Sequence, residues 1–430
     1  MPEFTVQQLV DAVRAGDEAQ VRAILQSCPE LVHMDMAGNN EHRSLHYAVL
    51  GRSPAMVRIL MQHGADARKG IYPHRSATTA LTLATERGYQ EIAAIIHEEE
   101  NRRSAAESSE ATEDEPGPLT QAVLQDRPEV LETLLHSGVD PDEPVRVRGL
   151  EQEVFSRGLP LWHCARQGRY AMAETLLNRG ANPNAQVYAS GSPIFTAHGR
   201  RDFAMVDLLR KFGGKVGAVT AGLYRETDLA REMLAGDVDP ILEEGMFGGS
   251  TTAEQLLWAG SCGGDAEITR LALERVDWPR DDKRWYRIME QPVRIWNHMG
   301  GFWEQPSWDR TTYAECFRLI LERCDPNVRG RFGLTMLHDV AASREHVTAE
   351  DRVQFAQMLL DAGARLDVRD ELLMSTPLGW ACRWGRPELV KLLIERGADT
   401  VESDAEPWAT PLAWAEKRKH PDLVELLQGS

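Results

Sequence analysis

Apolar residues along this chain fall in short, paired bursts with helical spacing. Leu9-Val10 and Ala12-Val13 form one burst, and Val21, Ile24 and Leu25 form its partner. Near the other end, Leu378, Trp380 and Ala381 precede Leu389-Val390 and Leu392-Leu393-Ile394. Leu412, Trp414 and Ala415 then precede Leu423-Val424 and Leu426-Leu427. Apolar positions three and four apart, in runs of under about a dozen residues, predict short amphipathic helices packed as antiparallel pairs. The polar punctuation agrees. Thr376-Pro377 and Thr410-Pro411 supply a capping hydroxyl and a proline suited to the first helical turn. Gly385 and Gly397 stand where a left-handed residue ends a helix.

The unit also restarts. Thr376-Pro377-Leu378-Gly379-Trp380-Ala381 returns as Thr410-Pro411-Leu412-Ala413-Trp414-Ala415, after about 33 residues. Looser copies begin at Ser44-Leu45-His46, Thr79-Ala80-Leu81, Pro118-Leu119, Leu159-Pro160-Leu161, Ser192-Pro193-Ile194 and Thr335-Met336-Leu337-His338. A unit this small buries its apolar face only by stacking on its neighbours. On these motifs the chain resembles the ankyrin-repeat family over nearly its whole length, apart from 101–116 and 276–310. The resemblance implies an all-α ankyrin-repeat solenoid, with stacked helix-turn-helix units and short hairpin fingers. The motif period gives about ten to eleven repeats. It also implies a non-enzymatic scaffold that binds proteins or peptides. His46 and His338 occupy the family's histidine slot, where the imidazole bonds between loops.

The motif divides the chain. Residues 1–100 form N-terminal repeats, 117–275 central repeats with degenerate units, and 311–430 C-terminal repeats. The acidic, polar stretch 101–116 reads as a linker or loop. The insertion 276–310 holds Trp278, Trp285, Trp296, Trp303 and Trp308, and large aromatics are preferred anchors at binding surfaces. In a second insert, from Glu143 to Arg157, the alternation of Val145-Arg146-Val147-Arg148 predicts a strand that Val154-Phe155 can pair with.

Composition narrows the function. With 430 residues, 42% of them hydrophobic, and a net charge of −18, non-specific binding to nucleic acid or anionic membrane is disfavoured. No apolar run reaches membrane-spanning length and the N-terminus lacks a signal-peptide pattern, so a cytoplasmic location is expected. The six cysteines form no C-x-x-C or zinc spacing and read as buried thiols. No phosphate-loop, dinucleotide, zinc-protease or nucleophile-elbow motif occurs, and no cofactor or metal is expected.

Charge becomes interesting only locally. In this family the two residues that close the first helix face the concave groove. Here those pairs are Glu86-Arg87, Arg166-Gln167, Gly199-Arg200, Arg383-Trp384 and Lys417-Arg418. Stacking would set their cations roughly 10 Å apart. Arg87, Arg166, Gln167, Arg200, Arg383, Trp384, Lys417 and Arg418 are therefore the candidate partner-binding residues, with Trp285, Trp296 and Trp303 from the insertion. Guanidinium groups suit carboxylates, so the expected partner is an acidic protein or peptide. A monomer is favoured. A competing reading uses two fingertips, Glu41-His42-Arg43 and His74-Arg75, as a small-molecule or anion site, with His42 as a conceivable general base.

Overall fold

A computed structural model describes residues 4–36, 42–71, 75, 78–104, 117–147, 154–187, 190–235, 250–295 and 311–429. Twenty-four α-helices run through the described residues, mostly as antiparallel pairs of about two turns each.

The local rules read from the sequence operate atom by atom. Thr376 accepts a hydrogen bond from the Gly379 N–H at 3.3 Å and Pro377 opens the helix Pro377–Arg383. Gly385 then turns the chain at φ 63°, and Pro387–Glu395 runs back. Thr410 repeats the cap, on Ala413 at 3.2 Å, for the helix Pro411–Lys417. The left-handed slot after the first helix is kept even where glycine is absent, as at Arg52 (φ 51°) and Lys419 (φ 60°). Sterics disfavour that geometry for a residue with a Cβ, so the turn is imposed by the packing of the pair.

Three apolar bodies result. One spans buried residues from Val6 to Ile96, the second from Leu119 to Leu209, and the third from Ala218 to Leu427. A small cluster of Leu223, Ala259 and Cys262, with Phe195 and Tyr224 against it, sits where the second meets the third. The six cysteines are buried and unbridged. Burial pushes the Cys164, Cys316 and Cys324 thiols up to about 12, which leaves them unreactive near neutrality.

The insert before the fifth helix pair is a hairpin: Val145–Val147 pairs antiparallel with Val154–Ser156. Its first residue has a structural task. Gly117 offers no capping side chain, and the Glu143 carboxylate caps Pro118–Leu124 instead, accepting from the N–H groups of Leu119 (2.7 Å) and Thr120 (2.9 Å). A Cβ at position 117 would lie 2.3 Å from that carboxylate, so the glycine makes room for the cap.

Both slot histidines tie neighbouring fingers together. His338 Nδ1 accepts from the Thr335 N–H at 3.0 Å, and Nε2 donates to the Ser375 carbonyl at 3.1 Å. His46 does the same between Arg43 and the Lys69 carbonyl, at 3.1 and 3.0 Å. A second ring proton would face the accepted N–H, and both rings are fully buried. Burial accordingly lowers the His46 pKa to about 4, with the charges of His42 and Arg43 acting in the same sense. The His338 pKa also falls through burial, with Asp370 opposing. Above the ordinary value of 6.5 the residue is neutral in both folded and unfolded chains. Below it the unfolded chain takes up protons that folded His46 refuses until about pH 4. Stability should therefore fall as pH drops through this window, by about 1.4 kcal/mol per pH unit for His46, with His338 acting in the same direction. Urea titrations at pH 7 and 5 should show the loss, and His46→Gln should reduce it by the His46 share. An equal slope in the variant would place the effect elsewhere.

Candidate functional site

The first-helix ends of distant repeats meet across the molecule. Glu86 ends the helix Ala80–Glu86 and is 7% exposed. Its carboxylate receives Arg383 Nη2 at 2.7 and 2.8 Å and Arg383 Nε at 3.3 Å. Arg418 binds the same carboxylate and Lys417 donates to the Glu86 carbonyl. Next door, Arg87 donates through Nη2 to the carbonyls of Glu371, at 2.7 Å, and Leu372. The Arg87 guanidinium lies 5.4 Å from the Trp408 ring centre. The ends of the array are clasped by charge, and the partners are some 284–332 positions apart.

The clasp changes what the candidate residues can reach. Arg87 and Arg383 are 5% and 6% exposed, so their heads are committed within the chain. Burial pulls the Arg383 pKa down while Glu86 pulls it back up. Lys417 is lowered by burial too, again opposed by Glu86. Trp384 is half-buried, stacked on Trp380 with ring centres 4.9 Å apart, and Arg383 lies 4.3 Å over it. Only the central members stand clear of the clasp. Arg166, Gln167 and Arg200 are exposed, with Arg166 placed 5.2 Å over the Trp162 ring.

One expectation is corrected. Trp285, expected at a partner-binding surface, is fully buried. It lies in the helix Arg284–Arg294, donates Nε1–H to the Pro279 carbonyl at 2.8 Å and packs edge-on against Trp278 at 4.9 Å. A ring this large contributes more as core than as an exposed anchor. Trp296 and Trp303 lie outside the described residues. The fingertip residues are described only in part. His42 is 2% exposed, its ring 4.2 Å from Phe332, and Arg43 is held by Asp35 at 2.8 Å. Those two side chains serve packing and an ion pair. Arg75 is exposed, while Glu41 and His74 lie outside the described residues.

Sequence reading missed the clasp acid. Its signal was present: Glu86 is the one carboxylate among the paired groove positions. It also missed the acids of the fingers. Asp370, 2% exposed, accepts from the backbone of Leu372 (2.7 Å), Leu373 (2.8 Å) and Ser375 (3.1 Å) and from Trp380 Nε1 (2.9 Å). Glu402 accepts from the Thr376 hydroxyl at 2.6 Å and from Arg369 at 3.2 Å.

With this geometry in view, comparisons with known proteins place the chain. The family described as Ankyrin repeats matches residues 9–104, 310–404 and 349–430, and a single Ankyrin repeat matches 159–187. The chain belongs to the ankyrin-repeat family. It is similar to the B-cell lymphoma 3 protein homolog of Mus musculus, at 30% identity over 186 residues. That match covers 43% of this chain and 38% of the relative, so well under two thirds of the relative's length is spanned. Together these support a protein-binding scaffold. Among the described residues no helix is long and apolar enough to cross a membrane.

Proposed function

We propose that the protein binds an acidic segment of a partner protein along the concave ends of its central repeats, through Arg166, Gln167 and Arg200. The clasp supports this reading most directly. The same helix-end positions in the last two repeats gather around Glu86, Arg383 and Arg418 on its carboxylate and Lys417 on its backbone carbonyl. Equivalent cations in the central repeats are exposed and stand on a rigid, repeated frame. Planar guanidinium forks at regular intervals favour side chains or phosphates in an extended segment.

Binding of this kind weakens with salt because exposed charges are screened within about 8 Å at physiological ionic strength. A fluorescein-labelled glutamate-rich peptide should bind with an anisotropy signal that falls between 50 and 300 mM KCl. Arg166→Glu/Arg200→Glu should weaken it at least tenfold, since each reversal introduces like-charge repulsion. Equal affinity for both proteins would remove the central repeats as the site.

A further inference from the structure

The clasp encloses more than the Glu86 contact. Beside it, the first-helix ends of the three N-terminal helix pairs face the finger loops 330–333 and 371–374. Between them opens a cleft of about 860 Å³, a volume typical of small-molecule sites. Arg14, Arg52 and Arg87 line one wall, and Arg331, Phe332 and Glu371 the other. Four guanidinium groups thus converge around one lining carboxylate, in a chain of net charge −18.

The arginines of the first wall are not neutralised. Among the described residues none forms an ion pair with Arg14, Arg52 or Arg87. Arg14 lies 4.4 Å over the Tyr47 ring and Arg52 4.7 Å over the Tyr89 ring. Arg87 uses Nη2 for two carbonyls, while its buried Nε–H has no acceptor among the described residues. A buried guanidinium N–H left without a partner calls for an explanation. The opposite wall carries a second anomaly. Phe332 and Met374, both lining the cleft, hold φ at 53°. Apolar residues rarely adopt that left-handed geometry, and such strain concentrates at ligand sites.

We propose that this cleft binds a small anion carrying two or more phosphate or carboxylate groups. Several arginines lining one half-open cleft focus a positive field, and their forks match tetrahedral phosphate or planar carboxylate oxygens. A singly charged ion would leave most of the first wall's three guanidinium groups without a counter-ion among the described residues. Because the two walls come from opposite ends of the chain, the bound anion bridges them and reinforces the clasp. This surface is separate from Arg166 and Arg200, so it stands or falls independently of the peptide reading.

The test uses the full chain with sodium pyrophosphate, inositol hexakisphosphate and citrate, each against KCl of equal ionic strength. Thermal shift and isothermal titration should show saturable binding and a rise in Tm that KCl does not reproduce. Arg14→Gln/Arg52→Gly should weaken binding at least tenfold. Both side chains are exposed, and glycine keeps the left-handed turn at position 52, so the fold survives and unliganded Tm reports it. Response to the phosphates alone identifies phosphate compounds as the ligand class, and response to citrate alone identifies polycarboxylates. Arg166→Glu/Arg200→Glu should bind the anion as the parent does. No rise above the KCl control with any of the three, or unchanged affinity in the Arg14/Arg52 variant, overturns the proposal.

Discussion

Replacing Glu86 with alanine should open the clasp. The substitution removes the carboxylate around which Arg383 and Arg418 close, leaving only the Lys417 bond to the backbone carbonyl. Arg383, with a side chain only 5% exposed, would keep its charge and lose its counter-ion. Stranding one member of a buried pair costs roughly 3–5 kcal/mol, more than the intact pair contributes, because the desolvated charge has nothing to offset it. The N-terminal and C-terminal apolar cores are separate clusters, so what apolar packing adds to the clasp is contacts such as His42 against Phe332. The chain should relieve the charge by letting its ends part, and small-angle scattering should show a larger radius of gyration. In a double-mutant cycle, Glu86→Ala and Arg383→Ala should couple by about 2 kcal/mol, within the range for contacting residues. Unchanged scattering with a coupling near zero would mean that the contact holds nothing together.

The other large effect is expected at Asp370. Its carboxylate gathers three backbone N–H groups and the Trp380 indole N–H. Trp380 is itself 1% exposed in the C-terminal core. Asp370→Ala leaves four donors without an acceptor in a buried site. Each such orphan costs about 1–3 kcal/mol, partly recovered as the loop relaxes, so a loss of at least about 4 kcal/mol is expected. Asp370→Asn should cost less, because one oxygen still accepts while the amide nitrogen faces donors. Since Leu372 also receives Arg87, the finger's collapse should loosen the clasp as well. Hydrogen exchange across 370–395, read beside a urea titration, would register both effects. Protection like that of the parent in the alanine variant would show the carboxylate to be dispensable.

How much of this was legible in the sequence follows from the range of each interaction. Thr376, Pro377 and Gly385 act within a few residues of themselves, so the helix pair can be read from the letters. His338 reaches only the next finger, at Ser375, and the repeat motif carries that reach. The Val145–Ser156 hairpin is local too, and its alternation announced it. Trp285 was misread because exposed anchors and buried cores draw on the same side chains, and nothing local says which face a distorted repeat turns inward. Asp370 and Glu143 were passed over since acids in fingers look solvated, whereas here they satisfy backbone donors. Glu86 stood in plain sight, but its partners lie some 297 residues away, beyond any periodic signal.

By itself the sequence determined the building block and its manner of stacking, because caps, turns and apolar spacing work inside one unit or between immediate neighbours. Which cations remain available, and which are consumed within the chain, was decided only in three dimensions. The contact that brings Glu86 to Arg383 joins residues 297 positions apart, a range that caps, turns and apolar spacing do not reach, and the cleft beside it is lined from the same distant repeats.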